Sequence, residues 1–165
     1  NPEFLSGEAS ASPAVEPLLA GARRFAEMGH GAGLLSARNG LRTTTHAQVP
    51  FDALSPVDFV EVADYDPHLD RLLVIGQRSP HTFAGMHALI LRAKKEIGAI
   101  VMVEGDPGGL PAVKRGRTTL ESALAVLEAL PGRDAVAFGS SLWAVGPPPV
   151  ARAPQRPWCS TPCPS

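Results

Sequence analysis

The stretch PHTFAGMHALILRAKKEIGAIVMVE, residues 80–104, decides the fold class. After Ser79-Pro80, Met86, Leu89, Ile90 and Ala93 recur at the three- and four-residue spacing of a helix face, and Ile97 closes the stripe. This predicts a helix from about Pro80 to Glu96. Beyond Gly98 the period changes: residues 99–103 form an unbroken apolar run, short enough for a buried strand and too short for a helix. A helix running directly into a buried strand is the unit of α/β architecture.

The neighbouring segments fit the same scheme. Upstream, Leu18, Leu19, Ala22, Phe25 and Ala26 make one helical stripe between Val15 and Met28, and Gly29 stops it. Short runs with strand character follow at Gly33–Arg38, Leu41–Thr45, Asp58–Val62 and Leu72–Ile75. Asn39-Gly40 marks a hairpin, and Ser55-Pro56 and Asp66-Pro67 mark loops. Downstream, Thr118 and Glu121 have capping-box spacing before a third helix with Leu120, Leu124, Leu127 and Leu130 expected inward. Pro131-Gly132 ends it, and Asp134–Phe138 and Leu142–Val145 read as the last strands. The expected fold is a three-layer α/β/α domain around a mixed, largely antiparallel sheet.

The composition bounds the rest. At 165 residues, 44% hydrophobic and 19% charged, the chain suits one domain with a real core. A net charge of −1 gives no global attraction to nucleic acid or anionic lipid, so neither is an expected partner. No apolar stretch approaches the roughly 18 residues that span a bilayer. With no basic-then-apolar leader at its start, the chain is expected to be cytoplasmic.

The 17 prolines are unevenly placed: seven fall in residues 147–165, which predicts an extended proline-rich tail. That segment holds both cysteines, Cys159 and Cys163, expected as free thiols, with a disulfide as the alternative. Asn1-Pro2-Glu3-Phe4 resembles a cloning junction. Residues 1–13 are therefore expected to be a scar and linker outside the domain, which would occupy residues 14–146.

Three segments, taken in order, resemble the class II aldolase/adducin family, with fuculose-phosphate aldolase-type domains as the nearest pattern. The first is Gly33-Leu34-Leu35-Ser36-Ala37-Arg38 with the hairpin after it and the Pro50…Leu54…Asp58…Val60 pattern. The second is residues 80–101, similar to the family's helix after a Pro-Ser-Ser-Glu motif and the strand that follows. The third is residues 134–146, similar to the strand and turn that usually hold Asn-His-Gly. The resemblance implies an α/β/α domain, a homotetrameric habit, and a divalent metal held by three histidines with a nearby glutamate.

The matching positions do not carry those donors. The His-x-His positions are Met102 and Glu104, the Asn-His-Gly positions are Gly139, Ser140 and Ser141, and the glutamate position is Phe83. Methionine and serine are poor partners for zinc, so the expectation is no metal and no cofactor. Glu104 and His81 are the catalytic candidates: a carboxylate at a former ligand position beside Phe83 and Met102, and an imidazole at the motif's first serine. The alternative for Glu104 is a solvated strand end, and for His81 and His46 a surface or helix-capping role.

Ser36, Arg38, His46, Ser140 and Ser141 are the substrate-binding candidates, with a bracing role for Arg38 as the alternative. His87 is expected to be a buried, hydrogen-bonded structural histidine. The expected function is a repurposed metal-independent lyase or isomerase acting on a small oxygenated carbonyl compound. The alternative is a non-catalytic, adducin-like oligomeric scaffold.

Overall fold

The computed structural model describes residues 2–5, 12–104, 109–131 and 134–146. The strands and helices are β1 (Pro2–Leu5), α1 (Val15–Glu27), β2 (Gly33–Asn39), β3 (Arg42–His46), β4 (Phe59–Asp66), β5 (Arg71–Ile75), α2 (Ala84–Ala93), β6 (Ala99–Glu104), β7 (Ala112–Val113), α3 (Thr119–Ala129), β8 (Ala135–Phe138) and β9 (Ser141–Gly146). Two short 3₁₀ turns, Phe51–Ala53 and Pro56–Asp58, link β3 to β4. The strands form one sheet in the order β1-β5-β4-β3-β2-β6-β9-β8-β7. Within it, β1–β5 and β7–β8 pair parallel, and the other neighbours pair antiparallel.

The centre of the sheet is β2 against β6, with Gly33 opposite Val103 and Ala37 opposite Ala99. Side chains alternate along a strand, so β2 feeds two cores. Leu34 joins Met86, Ile90, Ile100, Met102, Val126, Phe138 and Trp143 under α2 and α3. Leu35 and Ala37 join Leu18, Leu19, Ala22, Phe51 and Val103 under α1. A third cluster, around Val60, Tyr65 and Val74, lies beneath Ala88 of α2.

Several elements follow from local chemistry. Gly40 takes φ 63° in the β2–β3 hairpin, a conformation costly for a residue with a Cβ. The Thr118 side chain accepts the Glu121 N–H and caps α3. Three readings need correction. Pro2–Leu5, expected outside the fold, is a strand paired in parallel with Leu72–Ile75. On α3, Leu130 is buried and Leu127 packs against the core as expected, but Leu124 is exposed, and Ser122, Ala123 and Val126 are the buried residues within the helix.

The third correction concerns α2, which stops at Ala93 instead of reaching Glu96. The Arg38 guanidinium donates to the carbonyls of Leu91, Lys94 and Ile97 at that end, at 2.9 Å to Lys94 and 2.6 Å to Ile97. The Leu91 carbonyl is one that a terminating helix leaves without an intrahelical partner, and the Lys94 and Ile97 carbonyls follow just beyond the helix end. Residues 147–165, read as a proline-rich tail with two cysteines, lie outside the described residues.

Two glycines should respond oppositely to alanine. A Cβ at Gly33 would sit 2.0 Å from the Met102 carbonyl oxygen and 2.7 Å from Phe51 Cζ. Gly33→Ala must therefore push β2 from β6 and should cost about 3 kcal/mol or more in urea unfolding. At Gly21, inside α1, the nearest atom to an added Cβ is Leu35 Cδ1 at 3.8 Å. Gly21→Ala should gain about 0.5–1 kcal/mol.

Candidate functional site

The polar groups buried in the sheet converge where β2, β3 and the start of α2 meet. Ser36, Thr45, His46 and His87 are fully buried, and His81 is nearly so. The Leu35 N–H donates to His46 Nε2 at 3.0 Å, so the His46 proton is on Nδ1 and points at the Ala47 carbonyl, 2.7 Å away. His46 thus takes the place of a ladder bond where β3 departs from β2. Burial pushes its pKa down to about 4, helped by His81 and partly opposed by the Ala47 hydrogen bond.

A second chain of bonds starts at His87. Ser36 Oγ donates to Thr45 Oγ1 at 2.8 Å, and Thr45 donates on to the Leu35 carbonyl at 3.4 Å. The 2.7 Å contact between Ser36 Oγ and His87 Nδ1 is then a donation from the imidazole. That leaves His87 Nε2 as a lone pair with no hydrogen-bond partner among the described residues. Its ring meets Trp143 edge-on at 4.8 Å. Burial, with His81 and His46 nearby, holds His87 well below the usual imidazole pKa.

His81 sits at the entrance to α2. Its backbone N–H donates to the His46 carbonyl at 3.1 Å, and its Nδ1 accepts the Phe83 N–H at 3.1 Å. The ring stacks on Phe83 at 5.7 Å, and burial lowers its pKa as well. All three imidazoles are therefore held neutral, each bonded into the fold.

Beside them lies an aromatic cluster that sequence reasoning missed. Phe83 packs edge-on against Phe138 at 6.0 Å and Trp143 at 5.7 Å, while Phe138 and Trp143 meet at 5.3 Å. Met102, Phe138 and Trp143 are buried in the same core. The exposed Arg115 places its guanidinium carbon 5.8 Å from the Phe83 ring centre. No spacing rule links residues 83, 102, 138 and 143. Ladder register does so for Met102 opposite Trp143 and Trp143 opposite Val136.

The candidates from the sequence fall into separate groups. His46, His81 and Ser36 are brought together; both nitrogens of His46 and the Ser36 hydroxyl are bonded within the fold, whereas His81 is held through Nδ1 and no hydrogen bond among the described residues engages its Nε2. Arg38 lies at the far end of β2, where its guanidinium closes α2 and is not turned to an anion. Ser141 opposes Glu104 in the β6–β9 ladder. Its hydroxyl donates to the Phe138 carbonyl at 2.7 Å and accepts the Trp143 indole N–H at 3.0 Å. Ser140 is exposed in the turn before it.

Glu104 is exposed at the end of β6, so the apolar burial expected for it is absent. No hydrogen bond or ion pair among the described residues joins Glu104 to His81.

The donor set implied by the resemblance can be tested on this geometry. Among the described residues, no group of three or more His, Cys, Asp or Glu side chains is placed to hold a metal ion. Met102, Phe83 and Ser141 are packed or hydrogen-bonded, and Glu104 alone is a single carboxylate. These residues do not fit a zinc-type centre. A cavity of about 240 Å³ lies elsewhere, under α1.

No protein-family model matches the chain, and no curated protein matches it in sequence. Solved structures do match. An L-fuculose 1-phosphate aldolase superimposes with a TM-score of 0.66 at 17% identity, covering 82% of this chain and 76% of that one. The chain has a class II aldolase-like α/β fold. L-fuculose-1-phosphate aldolase from Thermus thermophilus gives 0.65 at 18% identity over 85% and 84%. YgbL from Klebsiella pneumoniae, an aldolase/epimerase/decarboxylase candidate, gives 0.65 at 15% identity over 87% and 82%. Among the described residues, no helix is long and apolar enough to cross a membrane.

The neutral histidines make stability depend on pH. Unfolded, each binds a proton below about 6.5; folded, His46 resists until about pH 4. The stabilisation is complete above pH 6.5 and is lost as pH falls toward 4, with His46 alone accounting for about 3 kcal/mol. In urea titrations between pH 6.5 and 5, His46→Gln should reduce the slope of stability on pH by about 1 kcal/mol per unit. An unchanged slope would mean that His46 is already charged in the fold.

Proposed function

We propose that this chain is a class II aldolase-like domain that has given up metal-dependent catalysis and acts as a non-catalytic, homo-oligomeric binding domain. The observation that carries this reading is the packing of Phe83, Met102, Phe138 and Trp143. Three of these are buried, and Phe83 and Met102 stand at positions where the resembled family places metal-site residues. An enediolate needs an electrophile to stabilise its charge, and indole, phenyl and thioether groups offer none. The Ser36 and Ser141 hydroxyls and both nitrogens of His46 are already bonded to the fold. The homo-oligomeric state and the likeness to adducins rest on the resemblance.

A metal-independent lyase or isomerase is the second reading, with Glu104 and His81 as acid and base on a small oxygenated carbonyl compound. It is favoured by one feature: Glu104 is an exposed carboxylate without a hydrogen-bond or ion-pair partner among the described residues, free to meet a substrate.

Purified protein incubated with zinc or manganese and then desalted should retain no stoichiometric metal by elemental analysis. It should not cleave L-fuculose 1-phosphate with or without added metal. Retained metal at one equivalent per chain would sink the proposal. In a screen of small sugar phosphates and hydroxy-ketones, turnover that disappears in a folded Glu104→Gln variant would establish the enzyme reading in its place.

A further inference from the structure

The cavity of about 240 Å³ lies between α1 and the β2–β6 pair, on the sheet face opposite the aromatic cluster. Leu18, Phe25, Met28, Leu35 and Val101 supply apolar walls, and Arg24 is the charged residue lining it. An engineered apolar cavity of roughly 150 Å³ takes up benzene, so this one has room for a ring with a short chain, or an acyl chain of about eight carbons. Met28 is 69% exposed at the end of α1, and its flexible thioether can adapt to a guest.

Two features distinguish the cavity from a packing fault. The first is Gly21, which lines it from the middle of α1. Glycine weakens a helix interior relative to alanine, and here no steric conflict demands it, since an added Cβ would have only ordinary contact with Leu35. What the missing side chain provides is space. The second is Arg24, an exposed guanidinium without an ion pair or side-chain hydrogen bond among the described residues. A guanidinium recognises a carboxylate through two parallel charge-assisted hydrogen bonds, while its methylene stem can extend an apolar wall.

We infer that this cavity is a binding site for a small apolar monocarboxylate, an aryl-alkanoate or medium-chain fatty acid, with its carboxylate on Arg24. The site is independent of the reading of the aromatic cluster, and it stands whether or not the opposite face is catalytic.

Calorimetric titration of the full chain with octanoate, 3-phenylpropionate and neutral 1-octanol tests the assignment. The wild type should bind both acids. Arg24→Gln should weaken octanoate about tenfold or more and leave 1-octanol unchanged, as loss of a charge-assisted pair requires. Gly21→Leu, which fills the cavity, should abolish binding of all three while the unfolding midpoint does not fall. Octanoate that fails to bind the wild type, or that binds Gly21→Leu equally well, overturns the proposal. So does a wild-type dimer that Gly21→Leu dissociates, because the cavity would then belong to a contact between two copies.

Discussion

The pairing of β2 with β6 is the constraint on which the rest depends. Gly33 lets the two backbones approach more closely than a Cβ would permit, and the Met102 carbonyl occupies the space beside it. From that contact, alternation alone sends Leu34 to one face and Leu35 to the other, so two cores are set by adjacent residues. The helix that precedes β2 then lies on one side, and the helix that precedes β6 on the other. Arg38, at the end of the same strand, ties the last turn of α2 to the sheet through three backbone carbonyls. A single strand thereby positions all three layers of contact: backbone pairing, side-chain packing and helix termination.

The buried polar groups are arranged around this frame as supports. His46 completes the ladder where β3 leaves β2, His81 satisfies an N–H at the start of α2, and Ser36 and His87 bond across the β2–α2 contact. Burying imidazoles costs little while they remain neutral and partnered, and among the described residues the fully buried nitrogen left without a partner, His87 Nε2, lies against the Trp143 ring. Such a network makes the fold sensitive to acid, because each neutral imidazole would have to take up a proton within the fold.

Much of the architecture was legible beforehand. The helix stripe of α1, the Asn39-Gly40 hairpin, the Thr118 cap and the buried run at residues 99–103 are all local signals whose cause acts within a few residues. The buried, hydrogen-bonded state of His87 was legible too, from its apolar neighbours on the helix. The candidate site was far less so. Glu104 and Ser141 share a rung of the ladder, yet one is solvated and the other is locked to Phe138 and Trp143. His46 read as a loop residue able to reach a ligand, but its two nitrogens are both consumed by backbone groups. Pairing register and the direction of a side chain decide such outcomes, and neither is written in local spacing.

By itself, the sequence determined the alternation of helices and strands, the positions of the turns, and the presence of methionine, phenylalanine and serine where the resemblance would place metal-site residues. These follow from periodicity, backbone preference and ligand chemistry, which act residue by residue. Only the tertiary structure decided that Pro2–Leu5 joins the sheet, that Arg38 closes α2, that three separated aromatic residues form one cluster beside Met102, and that Gly21 lines a cavity above Leu35. Each of those depends on contacts between distant segments, whose partners are fixed only when the sheet register brings them together.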